Sequence, residues 1–91
     1  MATIVIVTGF FFQVSPGEWI CLFLCIGVVL SAEAMNSAIE WLADTLHPEM
    51  DPGIRLAKDA AAGSVLVASL AAAIVGAIVF FPKLWELLSK S

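Results

Sequence analysis

Three apolar runs fill this chain, parted only by the SPGE tetrapeptide at residues 15–18 and a polar bridge from Asp44 to Asp51. That pattern leaves no stretch from which a soluble core with a polar shell could be assembled. Of the 91 residues 62% are hydrophobic and 13% charged, and the mean hydropathy is +1.04. Soluble domains are roughly half apolar and a quarter charged, so lipid must take up most of this surface. The composition excludes a secreted disulfide scaffold, a disordered tail and a nucleic-acid binder. With a net charge of −4 there is no basic stripe for a phosphate backbone, and an anionic ligand must be met by a few placed cations or a metal. Cys21 and Cys25, four apart in the second run, read as small apolar-span residues rather than a metal or redox pair. The N-terminus lacks the basic region and cleavage site of a signal peptide.

The punctuation predicts an all-α fold. The first run, about Ala2 to Val14, would rise only about 20 Å as a helix, short of the about 30 Å of a hydrocarbon core. It reads as a spanning helix truncated at its front. Ser15-Pro16-Gly17-Glu18 is a capping box with proline at the first helical position, so a second helix starts there. Trp19 is its interfacial anchor, and about 20 residues carry it to the opposite surface near residue 38 or 39. Asp51-Pro52 repeats the cap-and-proline signature and opens a third helix to about Phe81, where Pro82 ends or kinks it. Ala68, Ala72 and Gly76 recur every fourth residue, a stripe that allows close helix approach and suits a homo-oligomer. Cations are split between Arg55 and Lys58 on one side and Lys83 and Lys90 on the other, so charge alone leaves the orientation open.

The informative segment is SAEAMNSAIEW, which places Glu33 and Asn36 at membrane depth and Glu40 at its boundary. A charge near a helix centre in lipid costs about 2.5 to 3.5 kcal/mol, so such residues need a purpose. At about 100° per residue, positions 33, 36 and 40 fall within about 60° of one another on one helix face. A polar seam gluing helices together is one reading. The other is a set of hard oxygen ligands suited to Mg²⁺ with one carboxylate free to act as a base. Lys58-Asp59, at the entrance to the third helix, returns to the same membrane face, and a lysine beside Mg²⁺ suits phosphoryl transfer. A cation or proton path lined by Glu33, Asn36 and Glu40, or a non-catalytic helical subunit, is the rival; neither needs Lys58-Asp59 near the carboxylates. Glu18 reads as a cap on the far membrane side and His47 as a solvated loop residue.

The segments EAMNSAIE (Glu33 to Glu40) and KDAAAGSVL (Lys58 to Leu66), 25 positions apart from Glu33 to Lys58, closely resemble the bacterial integral-membrane diacylglycerol kinase and undecaprenol kinase family. The resemblance runs from the FFF…EW turn onward. It implies a single membrane-embedded lipid kinase domain over residues 1–91, with three transmembrane helices assembled as a homotrimer in the bacterial inner membrane. The implied activity is transfer of the γ-phosphate of ATP to a lipid hydroxyl, diacylglycerol or undecaprenol, with Mg²⁺, at the cytoplasmic face. Carried over by position, Glu33 matches the catalytic base, Asn36 and Glu40 the residues that support metal and nucleotide, Lys58 the lysine that reaches the phosphates and Asp59 its acidic neighbour. The resemblance also turns the loop between the second and third helices toward the cytoplasm. By the same resemblance family members begin with an amphipathic surface helix and a segment that supplies a further metal-binding glutamate, and these 91 residues read as starting inside the first membrane helix. HPEMDP and AAAG look closer to the undecaprenol kinase branch.

Overall fold

The structure, a computed structural model, describes residues 2–90 and contains three α-helices: α1 (Ala2–Phe12), α2 (Pro16–Leu46) and α3 (Pro52–Lys90). They form a slender body of 58 × 19 × 18 Å. By length and composition α2 and α3 can each cross a membrane, whereas α1, with 11 residues, is too short. The exposed residues between their ends are mostly large and apolar, Leu24, Val28, Leu66, Leu70 and Ile74 among them, as a lipid-facing surface requires. Trp19 and Trp41, 22 residues apart on α2, are separated by about 33 Å of helix rise, close to the thickness of the hydrocarbon core.

Each helix end follows from its local chemistry. At the start of α2 the Glu18 N–H donates to Ser15 Oγ (3.2 Å) while the Ser15 N–H donates to Glu18 Oε1 (2.9 Å), completing the capping box. α1 ends in a Schellman turn: the Gln13 N–H donates to Phe10 O and the Val14 N–H to Gly9 O. This turn puts Gln13 at φ 55°, a left-handed conformation usually given to glycine. Val14, folded inward by the turn, joins Leu22 and Val79 in a small core sealed by Val5, Phe12, Trp19, Val75 and Phe80. Phe12 meets Phe80 at 5.9 Å, and Trp19 lies between Phe10 and Phe23. The short helix is thereby held against the end of the α2–α3 pair remote from the connecting loop.

α2 and α3 pack antiparallel, and two ion pairs fix their register. Lys58 Nζ meets Asp44 Oδ1 at 2.6 Å at the loop end, and Lys83 Nζ meets Glu18 Oε1 at 3.0 Å at the other. The paired numbers sum to 102 and 101, so the register is kept over the whole contact. Between the clamps the buried and half-buried residues recur at alternating intervals of three and four: Cys25, Val29, Ala32, Asn36, Ile39 and Ala43 on α2, Lys58, Ala61, Val65, Ala68, Ala72 and Val75 on α3. This is the spacing of a coiled-coil seam.

Two expectations change here. The bridge expected from Asp44 is shorter, because α2 continues to Leu46 and keeps Asp44 on a helix. α3 passes Pro82 and continues to Lys90. A proline deprives only one carbonyl of its donor, that of Ile78, and Pro82 is itself exposed. The Ala68, Ala72, Gly76 stripe lies on the side of α3 turned toward α2 of the same chain, with Ala68 buried in the seam and Ala72 and Gly76 lining a cavity between the helices.

Candidate functional site

The seam decides how the polar residues of α2 are presented. Asn36 occupies a seam position and is half-buried against α3, while Glu33 and Glu40 sit one residue past the seam positions Ala32 and Ile39. Being seven apart, the two glutamates occupy equivalent places and emerge, exposed, along one edge of the helix pair. Helix rise separates them by about 10 Å, too far for one small cation to be ligated directly by both. Asn36 and Glu40, four residues and about 6 Å of rise apart, can share one.

Two further facts bear on a metal. Asn36 Oδ1 is buried and has no hydrogen-bond partner, an arrangement that costs free energy unless something else takes the lone pairs. Among the described residues no group of three or more His, Cys, Asp or Glu is close enough to hold a metal on its own. A Mg²⁺ held by one or two protein oxygens and completed by phosphate oxygens and water fits this donor set; an all-protein metal cage does not.

The lysine and aspartate at residues 58 and 59 part company. Lys58 turns into the seam and its ammonium contacts Asp44, its side chain 20% exposed against 63% for the aspartate. Asp59, one residue and about 100° further round, faces outward with Arg55 into a shallow hollow of about 420 Å³ beside the loop, also lined by Met50, Asp51 and Leu56. The structure therefore brings Lys58 to the α2 strip and leaves Asp59 outside it. Nor does it bring Lys58 to Glu33. Asp44, the level of the ammonium, lies about 6 Å of helix rise from Glu40 and about 16 Å from Glu33.

Glu33 instead opens onto a second cavity of about 280 Å³, bounded by the first residues of α1 and by the faces of α2 and α3. Its walls are apolar, from Val5, Leu22, Val29, Ala72, Gly76 and Phe80, with Ser69 supplying a hydroxyl across from Glu33. A carboxylate at the mouth of an apolar groove can meet a hydroxyl carried on an apolar body.

The connecting loop is closed by short-range polar contacts. His47 caps α2, its N–H donating to Ala43 O, and its Nε2 lies 2.5 Å from Asp51 Oδ2. Asp51 Oδ1 accepts the Ile54 N–H at the start of α3. The Ile54 N–H, and secondarily the His47 ring, stabilise the charged carboxyl and hold Asp51 below the ordinary value of 3.8. His47 is an exposed loop residue, as expected, and in addition joins the end of one helix to the cap of the next. Asp44 is the residue that sequence reasoning missed: assigned to a loop, it had no direction, and only its place on α2 four residues after Glu40 extends the strip toward Lys58.

The profile of the family described as prokaryotic diacylglycerol kinase matches residues 1–80. The chain is 41% identical over 83 residues to the undecaprenol kinase of Bacillus subtilis (strain 168), covering 91% of this chain and 68% of that protein. It is 39% identical over 62 residues to the diacylglycerol kinase of Synechocystis sp. (strain ATCC 27184 / PCC 6803 / Kazusa), covering 67% of this chain and 35% of that protein. No solved structure gives a significant match. With its family profile matched over most of its length, the chain belongs to the prokaryotic diacylglycerol kinase family.

Proposed function

We propose that this chain is a membrane-embedded lipid kinase domain that transfers the γ-phosphate of ATP to the hydroxyl of a lipid, diacylglycerol or undecaprenol, at the cytoplasmic face of the bacterial inner membrane. The observation that carries the reading is the graded strip on α2: a carboxylate facing an apolar groove, a buried amide oxygen without a partner, a second carboxylate, and then an ammonium held by Asp44. Membrane depth decreases along that order, so a lipid hydroxyl and a water-borne triphosphate can meet on it from opposite ends.

In this reading the triphosphate lies along α2 with its terminal phosphate toward Glu33, and Lys58 at the loop end offsets its charge as a point cation. Asn36 and Glu40 would hold Mg²⁺, which when bound supplies charge neutralisation to the phosphate oxygens. Glu33 takes the proton of the lipid hydroxyl, the freed oxygen forms the new bond to the γ-phosphorus, and ADP leaves with the electrons of the broken P–O bond. Asp59, in the hollow with Arg55, serves the nucleotide from outside the strip. The exposed edge that carries Glu33 and Glu40 is costly in lipid unless covered, which favours a homotrimer in which neighbouring copies shield it. The deciding experiment incubates membranes containing the protein with γ-labelled ATP, Mg²⁺ and each lipid in turn. Label is expected in one lipid fraction, and label in none of them would remove the reading.

A further inference from the structure

Lys58 is the only cation that the described residues bring to the α2 strip, and its placement is not its own doing. A lysine ends in a compact charge on a flexible four-carbon stem, and at a membrane surface it can snorkel in many directions. Here the stem is enclosed in the α2–α3 seam and the ammonium is stopped by one group, Asp44 Oδ1, at 2.6 Å. Asp44 stands four residues after Glu40 and eight after Asn36, so all three project from neighbouring sectors of α2. Its distance from Lys58 in sequence, 14 residues across the loop, makes the contact tertiary rather than local. Three donors sit on an ammonium, and one engaged by Asp44 leaves two for phosphate oxygens.

We infer that Asp44 is a positioning residue of the phosphoryl-transfer site, holding the Lys58 ammonium at the water-side end of the Asn36–Glu40 strip so that it meets the triphosphate already oriented. The inference rests on the lipid-kinase reading above. It assigns Asp44 no contact with substrate. The pair itself is too exposed to contribute much to stability, since surface ion pairs are worth little, so its value lies in geometry.

Five proteins in native membranes test it: the parent, Asp44→Asn, Asp44→Glu, Lys58→Met and Asp44→Asn combined with Lys58→Met. Two measurements are made, lipid phosphorylation across ATP concentrations and acylation of each lysine by acetic anhydride followed by mass spectrometry, with Lys83 and Lys90 as internal references. Asp44→Asn is expected to lower kcat about tenfold at saturating ATP, as misplaced catalytic groups typically do, and to raise Lys58 acylation severalfold. Asp44→Glu should restore at least half of the parent kcat. In the Lys58→Met background Asp44→Asn should change nothing further, because a residue acting through Lys58 has nothing left to position. Parent-like kcat in Asp44→Asn, unchanged Lys58 acylation, or full additivity with Lys58→Met would each overturn the inference while leaving the kinase reading intact. A parent protein that labels no lipid overturns the kinase reading and the inference with it.

Discussion

Gly9 and Gly76 carry the same substitution into opposite surroundings. Gly9 is buried under the indole of Trp19, and a Cβ added there would stand 2.5 Å from Cη2, 2.9 Å from Cζ3 and 3.0 Å from Cζ2. Carbon atoms in contact prefer about 3.5 to 4.0 Å, so the ring must retreat by roughly 1 Å. It cannot retreat freely, because it is stacked against Phe23 at 5.6 Å and tilted against Phe10 at 5.1 Å. Overpacking of this kind costs about 1 to 3 kcal/mol. Alanine also returns about 0.8 to 1.0 kcal/mol over glycine in a helix. At Gly76 the Cβ would meet nothing within 4 Å, so only the second effect operates. Comparing Gly9→Ala with Gly76→Ala cancels the helix preference and leaves the steric cost, an expected gap of about 1 to 3 kcal/mol. Unfolding in mild-detergent micelles titrated with SDS, followed by helical ellipticity, measures it, and Trp19 emission should shift in Gly9→Ala alone. Two variants of equal stability within about 0.5 kcal/mol would refute the packing of Trp19 on Gly9.

The remaining expectations concern the site and the turns. Glu33→Gln should lower lipid phosphorylation by about 10² to 10⁴-fold while nucleotide binding persists; a near-parent rate would remove Glu33 as the base. Lys58→Met should lower kcat at least about a hundredfold with no rescue by excess Mg²⁺, whereas the defect of Glu40→Gln should be partly relieved by excess Mg²⁺ or Mn²⁺; the reverse pattern would exchange the two roles. Gln13→Gly relieves a left-handed side-chain residue and should stabilise the protein by a few tenths to about 1 kcal/mol in the same SDS titration, and a loss would contradict the Schellman turn. Asp51, held below 3.8 by the Ile54 N–H and His47, contributes stability that is fully present above 3.8 and lost as pH falls through its lower folded value. Ellipticity followed from pH 6 downward should show that acid loss in the parent and less of it in Asp51→Asn; identical titrations would exclude the cap.

What the sequence discloses is mostly what neighbours in the chain decide among themselves. The capping box at Ser15 and Glu18, the proline-led start of α3 and the shortness of α1 are all local, and the structure contains each of them. The clustering of Glu33, Asn36 and Glu40 on one face follows from helical spacing and is likewise present. Register is a different matter, because it depends on which residues meet across the loop. Nothing in the spacing of Lys58 announces Asp44, and the end of α2 had to move from Asp44 to Leu46 before that pair could form. The small-residue stripe shows the same limit: period reveals that Ala68, Ala72 and Gly76 share a face, not which helix lies against it. Pro82 was ambiguous for another reason, since the same missing hydrogen bond can end a helix or only kink it, and here the helix continues to Lys90.

The Glu18–Lys83 contact bears on how the protein enters the bilayer. In the orientation proposed above, with the loop cytoplasmic, the ends of α2 and α3 that carry these residues would have to pass through the hydrocarbon during biogenesis. Sent across singly, a bare ammonium or carboxylate faces a barrier of about 2.5 to 3.5 kcal/mol at mid-depth on translocon scales. Drawn together at 3.0 Å, the two charges travel as one neutral unit, and the helices that bear them are best threaded as a preformed hairpin. In that orientation the same bond that sets the register would make α3 the escort of α2 across the membrane.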